Sequence, residues 1–275
     1  MAPRYLVPVD FSPVSVDVVR FADQWAVQTK AEIWLLHVSQ ATYTYYPDRK
    51  QNGELLPQSV DDLKLMDWIT ALDLKSPVQC FHKTGLPYYE ILQASRQKDV
   101  AAIIMAAHSH ALRDRLFLGS NTDHVLHHAT CPVFVYKKNG HVFSENIIVP
   151  VDYHEINAQV IHFADQWCQI NGGTLNFIHV IRNGEGKESA DMNFFEQKLF
   201  GFLDGFKIQS SYEAFIRAGK PYLEILALQE QINACWIMLA AHSHTQLDRL
   251  LMGSNTDYLA HNAKCPVYIF KQSTS

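Results

Sequence analysis

The sequence predicts an α/β protein of two tandem domains, each a doubly wound, five-stranded parallel sheet. Two observations lead to this prediction. Short apolar segments alternate with segments of helical periodicity, the order expected of a parallel sheet covered by helices on both faces. The series then occurs a second time, so that Phe-Ala-Asp-Gln-Trp stands at residues 21–25 and again at residues 163–167.

The composition is that of a globular protein. With 275 residues, of which 48% are hydrophobic, the chain can form two full cores, and its formal net charge of −5 disfavours non-specific binding of nucleic acid. The five cysteines show no metal-binding spacing, so we expect reduced thiols. No signal-peptide core and no apolar run of membrane-spanning length occurs. We therefore expect a cytoplasmic protein whose partners are neither nucleic acid nor membrane.

Each repeat opens with a short apolar strand, Val-Pro-Val-Asp, which ends at an acid, Asp10 or Asp152. An amphipathic helix follows, and Phe21 and Trp25 lie on its apolar face in the first repeat. The second strand ends at His-Val in both repeats. These elements form the first βαβ unit of each predicted domain.

The repeats differ in length after the second strand. The first has a long connection, 39–58, with several tyrosines and two prolines, whereas the second has a shorter one, 182–188. Such a length change is typical of a surface loop, often one that covers a site. A third strand follows, at 78–83 or 212–217, and then a helix with proline near its first turn.

The next segment is a buried strand, a polar loop and a helix. The apolar run 100–107 predicts a strand buried on both faces. Nine residues separate Ser109 from Gly119, where a helix begins at Gly-Ser. Nine residues likewise separate Ser243 from Gly253 in the second repeat. The sequence therefore builds the same strand–loop–helix corner twice.

A last strand begins at Cys-Pro-Val in each repeat, at Cys131 and Cys265, where we expect the cysteines to serve packing. A short connection that contains Asn139 and Gly140 joins the two repeats. We therefore predict one domain at residues 1–138 and a second at residues 144–275.

The strand–loop–helix corner is a candidate phosphate site. Ligands of open parallel sheets bind beyond the carboxyl ends of strands, where the winding reverses. A helix N-terminus offers unpaired N–H groups and a positive dipole end, which suit phosphate. Asp10 or Asp152 can accept hydrogen bonds from a ribose. A purely structural interpretation is also open, because residues 120–123 (Ser-Asn-Thr-Asp) form a capping box and Asp10 can cap the first helix.

Each of the two repeats resembles the universal stress protein family, and together the two resemblances cover essentially the whole chain. The resemblance rests on the Val-Pro-Val-Asp strand, the His-Val strand end, the Cys-Pro-Val strand and the spacing before Gly-Ser. The family motif is Gly-x-x-Gly, nine residues, then Gly-Ser or Gly-Thr, and ATP-binding members use it to hold the triphosphate. The resemblance implies three-layer sandwiches of the adenine nucleotide alpha hydrolase-like or flavodoxin-like type. It also implies a stress-response protein that binds ATP or AMP as a sensor or regulator.

The resemblance implies one nucleotide site in each domain. In the first, adenine and ribose would meet Pro8, Val9, Asp10, Val38 and Met105, and the phosphates would meet Ala106, Ser109, Gly119, Ser120, Asn121 and Thr122. In the second, the corresponding residues are Pro150, Val151, Asp152, Val180 and Leu239, then Ala240, Ser243, Gly253, Ser254, Asn255 and Thr256.

The chain departs from the family motif at its first two glycines. Ala106 and Ser109 replace them in the first repeat, and Ala240 and Ser243 replace them in the second. Alanine is a mild change where φ is negative. Serine costs roughly 1–2 kcal/mol where φ must be positive, although its hydroxyl can itself donate to phosphate.

Two other kinds of site remain open. His108 and His110, or His242 and His244, form His-x-His pairs that can bind zinc where further ligands converge. Other histidines that can lie near these pairs are His37, His124, His127, His128 and His179. The aromatic segment 43–46 can line a site for an apolar small molecule, in a chain that acts as an interaction scaffold.

Catalytic motifs are absent from the sequence. Neither a Walker A motif nor a Gly-x-Ser-x-Gly elbow occurs, and no general base can be identified, so we expect at most slow ATP hydrolysis. The resemblance further implies that the last strands, 133–136 and 267–270, pair within the chain as a pseudo-dimer. It also allows a homodimer.

Overall fold

The computed structural model describes residues 2–39, 60–107, 118–137, 146–152, 158–181, 192–241 and 253–271. Its first half contains β1 (Arg4–Val9), α1 (Pro13–Thr29), β2 (Glu32–Ser39), α2 (Val60–Thr70), β3 (Val78–Thr84), α3 (Pro87–Ser95), β4 (Val100–Ala106), α4 (Ser120–His128) and β5 (Val133–Tyr136). Its second half contains β6 (Asn146–Pro150), α5 (Ala158–Asn171), β7 (Thr174–Ile181), α6 (Met192–Asp204), β8 (Tyr212–Ala218), α7 (Pro221–Gln231), β9 (Trp236–Ala240), α8 (Ser254–Asn262) and β10 (Val267–Phe270).

The strands form one sheet in the order β3-β2-β1-β4-β5-β10-β9-β6-β7-β8. Within each half all neighbours are parallel, which confirms the predicted doubly wound α/β class. The last strands, β5 and β10, pair antiparallel, with Val135 opposite Val267 and Val133 opposite Ile269. The expected pairing within the chain is therefore present, and it joins the two half-sheets into one.

Three details differ from the sequence prediction. Helices α2 and α6 were not identified from the sequence. The third strands, β3 and β8, each extend one residue further than expected. The last strands begin two residues after Cys131 and Cys265, because the intervening prolines have no N–H for the ladder. The carbonyl of Pro132 still accepts the N–H of Ile103 at 2.9 Å.

The aromatic residues of the repeated pentapeptide form the core where the two halves meet. The Trp25 and Trp167 rings are buried and lie 5.5 Å apart, edge to face. Phe21 stacks on Phe134 of β5 at 4.6 Å, and Phe163 stacks on Tyr268 of β10 at 4.8 Å. These contacts place the aromatic pairs in or against the core, and they pack α1 and α5 over the β5–β10 pair.

The aspartate of the pentapeptide fixes the loop before the third strand. Asp165 is buried and accepts hydrogen bonds from the backbone N–H of Ser210 at 2.9 Å and of Gln209 at 3.2 Å. Burial raises the pKa of Asp165, but these hydrogen bonds outweigh burial, so the pKa lies below its ordinary value. Asp23 holds Ser76 in the same way, through its N–H at 2.8 Å and its hydroxyl at 2.6 Å.

Two lysines connect the halves on the other face of the sheet. Lys137, which follows β5, donates to the carbonyls of Ala260 and Ala263 at the end of α8, at 2.7 and 2.6 Å. Lys271, which follows β10, donates to the carbonyl of Leu126 in α4 at 2.7 Å. Burial lowers the pKa of each lysine to about 8. Each half thus provides a C-terminal cap for the last helix of the other half.

All five cysteines are free thiols, as expected from their spacing. Burial raises the pKa of Cys131 to about 11 and that of Cys265 to about 12, so little reactive thiolate exists at neutral pH. Both side chains are buried, which confirms their packing role. Within the described ranges, no helix combines the length and apolarity needed to cross a membrane.

Candidate functional site

The last helix of each half begins at a glycine with no side-chain cap. Gly119 is the N-cap of α4 (φ −65, ψ 146) and Gly253 is the N-cap of α8 (φ −62, ψ 147), and no side-chain hydrogen bond closes either helix start. The capping-box interpretation is therefore wrong, because Ser120 is the first helical residue and not the cap. An open first turn presents backbone N–H groups and the positive end of the helix dipole.

The start of α4 is attached to the end of β4. The N–H of Gly119 donates to the carbonyl of Ala107 at 2.8 Å, and the hydroxyl of Thr122 donates to the carbonyl of Ala106 at 2.8 Å. Thr122 is buried, as is its counterpart Thr256. The Thr122 hydroxyl therefore holds the helix against the strand.

A cavity of about 100 Å³ lies at the corresponding corner of the second half. Eight of the residues predicted for the second nucleotide site line it, namely Pro150, Val151, Asp152, Val180, Leu239, Ala240, Asn255 and Thr256. Gly253 and Ser254 directly precede Asn255 at the helix start. Ser243 lies outside the described residues.

The position of this cavity follows from the winding of the sheet. Strand β6 has β9 on one side and β7 on the other, so the chain direction across the sheet reverses at β6. Crevices at such points are the usual ligand sites of doubly wound sheets. The buried side chains of Val151, Val180 and Leu239 give the cavity an apolar wall, and the half-buried Asp152 adds a carboxylate.

His179 also lines the cavity, although the sequence analysis did not include it among the nucleotide-binding residues. Its Nδ1 lies 2.9 Å from the carbonyl oxygen of Val151. Because a carbonyl only accepts, Nδ1 carries the proton, and Nε2 of the neutral ring is an acceptor. His37 has the same contact with Val9, at 2.9 Å. The His-Val pair near the end of the second strand in both repeats is the sequence signal that could have identified this residue.

Ten of the residues predicted for the first nucleotide site are described by the structure, and they lie at the equivalent corner. Those that the structure describes are at the ends of β1, β2 and β4 or at the start of α4, namely Pro8, Val9, Asp10, Val38, Met105, Ala106, Gly119, Ser120, Asn121 and Thr122. Asp10 is not the cap of α1, because Ser12 occupies that position. Oδ1 of Asp10 accepts the N–H of Ser12 at 3.0 Å and the hydroxyl of Ser15 at 2.7 Å, which fixes the orientation of the carboxylate.

The alanines that replace family glycines fit their backbone. Ala106 and Ala240 are the last residues of β4 and β9, and neither has positive φ. Alanine therefore introduces no backbone strain at either place. The other replacements, Ser109 and Ser243, lie outside the described residues, as do the His-x-His pairs and the aromatic segment 43–46.

Comparison with known proteins gives two matches to one family model. The model, described as the universal stress protein family, matches residues 1–137 and residues 144–271. A universal stress protein of Methanocaldococcus jannaschii is 23% identical to the chain over 141 residues, which are 49% of this chain and 82% of that protein.

Several solved structures match nearly the whole chain. One is a universal stress protein from Archaeoglobus fulgidus DSM 4304, with a TM-score of 0.67 and 22% identity. The match covers 98% of this chain and 98% of that one. A protein of unknown function from Pseudomonas aeruginosa PAO1 gives a TM-score of 0.72 at 15% identity, over 99% of this chain and 93% of that one. At these identities the likeness concerns the fold.

Proposed function

Since the chain belongs to the universal stress protein family, we propose that it is a cytoplasmic stress-response protein that binds ATP or AMP in one or both domains. The nucleotide acts as a signal to be sensed, with at most slow hydrolysis. One observation carries the proposal, namely the uncapped start of α8 beside the cavity that Val151, Asp152, Val180 and Leu239 line.

Each part of an adenine nucleotide has a chemical counterpart at this corner. The apolar wall of Val151, Val180 and Leu239 suits the adenine ring. The carboxylate of Asp152 suits the ribose hydroxyls. The first turn of α8 suits the phosphates, since a helix start carries roughly half a positive charge.

The test places a branched side chain at the helix start. In Gly253→Val, the added methyl groups block the approach of phosphate to the first-turn N–H groups, and valine adopts a φ of −62 without strain. Calorimetric titration with ATP and with AMP should show binding to the second domain weakened at least about tenfold. Gly119→Val tests the first domain in the same way, and the double variant tests both.

The matched control is Gly201→Val in α6, where an added Cβ would meet nothing within 4 Å. This variant should bind nucleotide like the wild type. Circular dichroism of each variant checks that the fold is kept. Absence of saturable nucleotide binding in the wild-type chain would contradict the proposal, and so would unchanged binding in the double variant.

A further inference from the structure

The last helices of the two halves bring two aspartates and two histidines together. Helix α4 carries Asp123 and His127, and helix α8 carries Asp257 and His261. In each pair the residues are four apart, so both side chains lie on one helix face. The two faces meet across the β5–β10 pair, because side chains of α4 contact side chains of α8.

The four side chains alternate at short distances. Nε2 of His127 lies 3.6 Å from Oδ1 of Asp123 and 3.3 Å from Oδ1 of Asp257. Nε2 of His261 lies 3.5 Å from Oδ1 of Asp123. Potential ligand atoms of Asp123, Asp257 and His261 all lie within 4.8 Å of one another. The side chains are between 26% and 40% exposed, so an ion can reach them from solvent.

The three distances between a histidine Nε2 and an aspartate Oδ1 match those between ligands of a tetrahedral metal site. Zinc binds histidine nitrogen at about 2.0–2.1 Å and carboxylate oxygen at about 2.0–2.2 Å, so tetrahedral ligand atoms lie roughly 3.3–3.6 Å apart. The histidine–aspartate distances of the cluster, 3.3–3.6 Å, span the same interval. Two carboxylates also balance the charge of a divalent ion.

The hydrogen bonding of His261 prepares its outer nitrogen as a ligand. Nδ1 of His261 lies 2.9 Å from the backbone carbonyl of Asp257, so Nδ1 carries the proton of the neutral ring. Nε2 of His261 then faces the Asp123 carboxylate at 3.5 Å, so that both atoms can be ligands of one cation. A carbonyl that orients the remote nitrogen is the usual support of metal-binding histidines.

The helices that carry the cluster are fixed from the opposite half. Lys137 holds the end of α8 through Ala260 and Ala263, and Lys271 holds α4 through Leu126. The separation between the two pairs of ligands is therefore set by the sheet and the two lysines. A site that is fixed before the ion arrives loses little conformational entropy on binding.

We propose that Asp123, His127, Asp257 and His261 form a binding site for a divalent transition metal of the zinc type, which bridges the two halves of the chain. Two imidazoles and two carboxylates suit zinc, whereas magnesium and calcium prefer six or more oxygen ligands. The site is distinct from the His-x-His pairs and does not depend on nucleotide binding.

The test is titration of the metal-free full-length chain with Zn²⁺ at pH 7.5, by calorimetry and by competition with a chromophoric chelator. We expect one zinc ion per chain at this site and a zinc-dependent rise in Tm. In the double variant His127→Asn/His261→Asn, the affinity of that site should fall at least about 100-fold, and the rise in Tm should vanish. Zinc held by histidines elsewhere would persist in the double variant.

The matched control is His124→Asn, which lies on α4 outside the cluster and stacks on Tyr88 at 4.6 Å. It should bind zinc like the wild type, and Mg²⁺ should bind neither protein tightly. Circular dichroism without metal confirms that the variants fold. Equal zinc affinity in the wild type and the folded double variant would overturn the proposal. So would the absence of zinc uptake by the wild type.

Discussion

At the scale of single residues, Asp165 links the sequence repeat to the position of a strand. Its carboxylate binds the loop before β8, and Asp23 does the same before β3. The sequence shows the aspartate only as one polar residue within an amphipathic helix. Its role was not predictable because its partners, Gln209 and Ser210, are more than forty residues away along the chain.

Asp165→Asn should therefore destabilise the protein. The amide keeps the shape of the side chain but loses the charge and one acceptor, which leaves a loop N–H of Gln209 or Ser210 poorly paired. We expect a loss of about 1–3 kcal/mol in the free energy of unfolding at pH 7, measured by urea denaturation. Asp204→Asn, on an exposed position of α6, should change this free energy by less than about 0.5 kcal/mol.

The loss of stability in Asp165→Asn should depend on pH. The pKa of Asp165 in the folded protein lies below its ordinary value of 3.8, so the carboxylate stabilises the fold above that value. This stabilisation is lost as the pH falls through the folded pKa. The stability difference between wild type and Asp165→Asn should hence be constant near neutral pH and shrink below about pH 4. A difference that stays constant down to pH 2 would contradict this account.

In the candidate site, too, some residues were predictable from the sequence and others were not. The glycine and serine at the start of α8 were predictable, because a Gly-Ser pair interrupts the pattern before a helix. His179 was missed as a nucleotide-site residue because its position depends on a hydrogen bond to Val151, which directly follows the neighbouring strand β6. Sequence spacing indicates where a strand ends, but not which side chain turns towards the ligand crevice.

At the scale of elements, the lysines after the last strands connect the two halves. Their sequence context resembles a solvated linker, so neither contact was predictable. Helices α2 and α6 were missed for another reason, because they follow the connection whose length differs between the repeats. In α2 a helical signal was nevertheless present, since Leu65, Trp68 and Ile69 lie at helical spacing.

Lys137→Met tests the lysine contact. Methionine keeps the length of the side chain but cannot donate, so the carbonyls of Ala260 and Ala263 lose their partner in a partly buried place. We expect the free energy of unfolding to fall by about 1–3 kcal/mol and hydrogen exchange to accelerate in the last turn of α8.

The control for Lys137→Met is Lys264→Met. Lys264 makes an exposed ion pair with Glu230 at 2.6 Å, and such pairs contribute about 0–1 kcal/mol. Equal effects of the two substitutions would contradict a capping role for Lys137.

At the scale of the whole molecule, the duplication made the fold class predictable. Two copies of one alternating pattern require two parallel half-sheets, whatever their loops contain. The pairing of β5 with β10 was expected only from the family resemblance. A run of four buried residues such as 133–136 fits any central strand, so the residues themselves do not identify the neighbour.

The reciprocal lysine contacts imply that one half of the chain can be completed by a second copy of itself. A fragment ending at Lys137 would expose the apolar edge of β5, but a second fragment can cover that edge. Each Lys137 would then cap α4 of the other fragment, as Lys271 caps α4 in the full chain. Analytical ultracentrifugation of fragment 1–137 should show a dimer, and Lys137→Met should weaken it; a stable monomer would contradict this. The duplicated chain would then be a tethered form of an ancestral assembly of separate subunits.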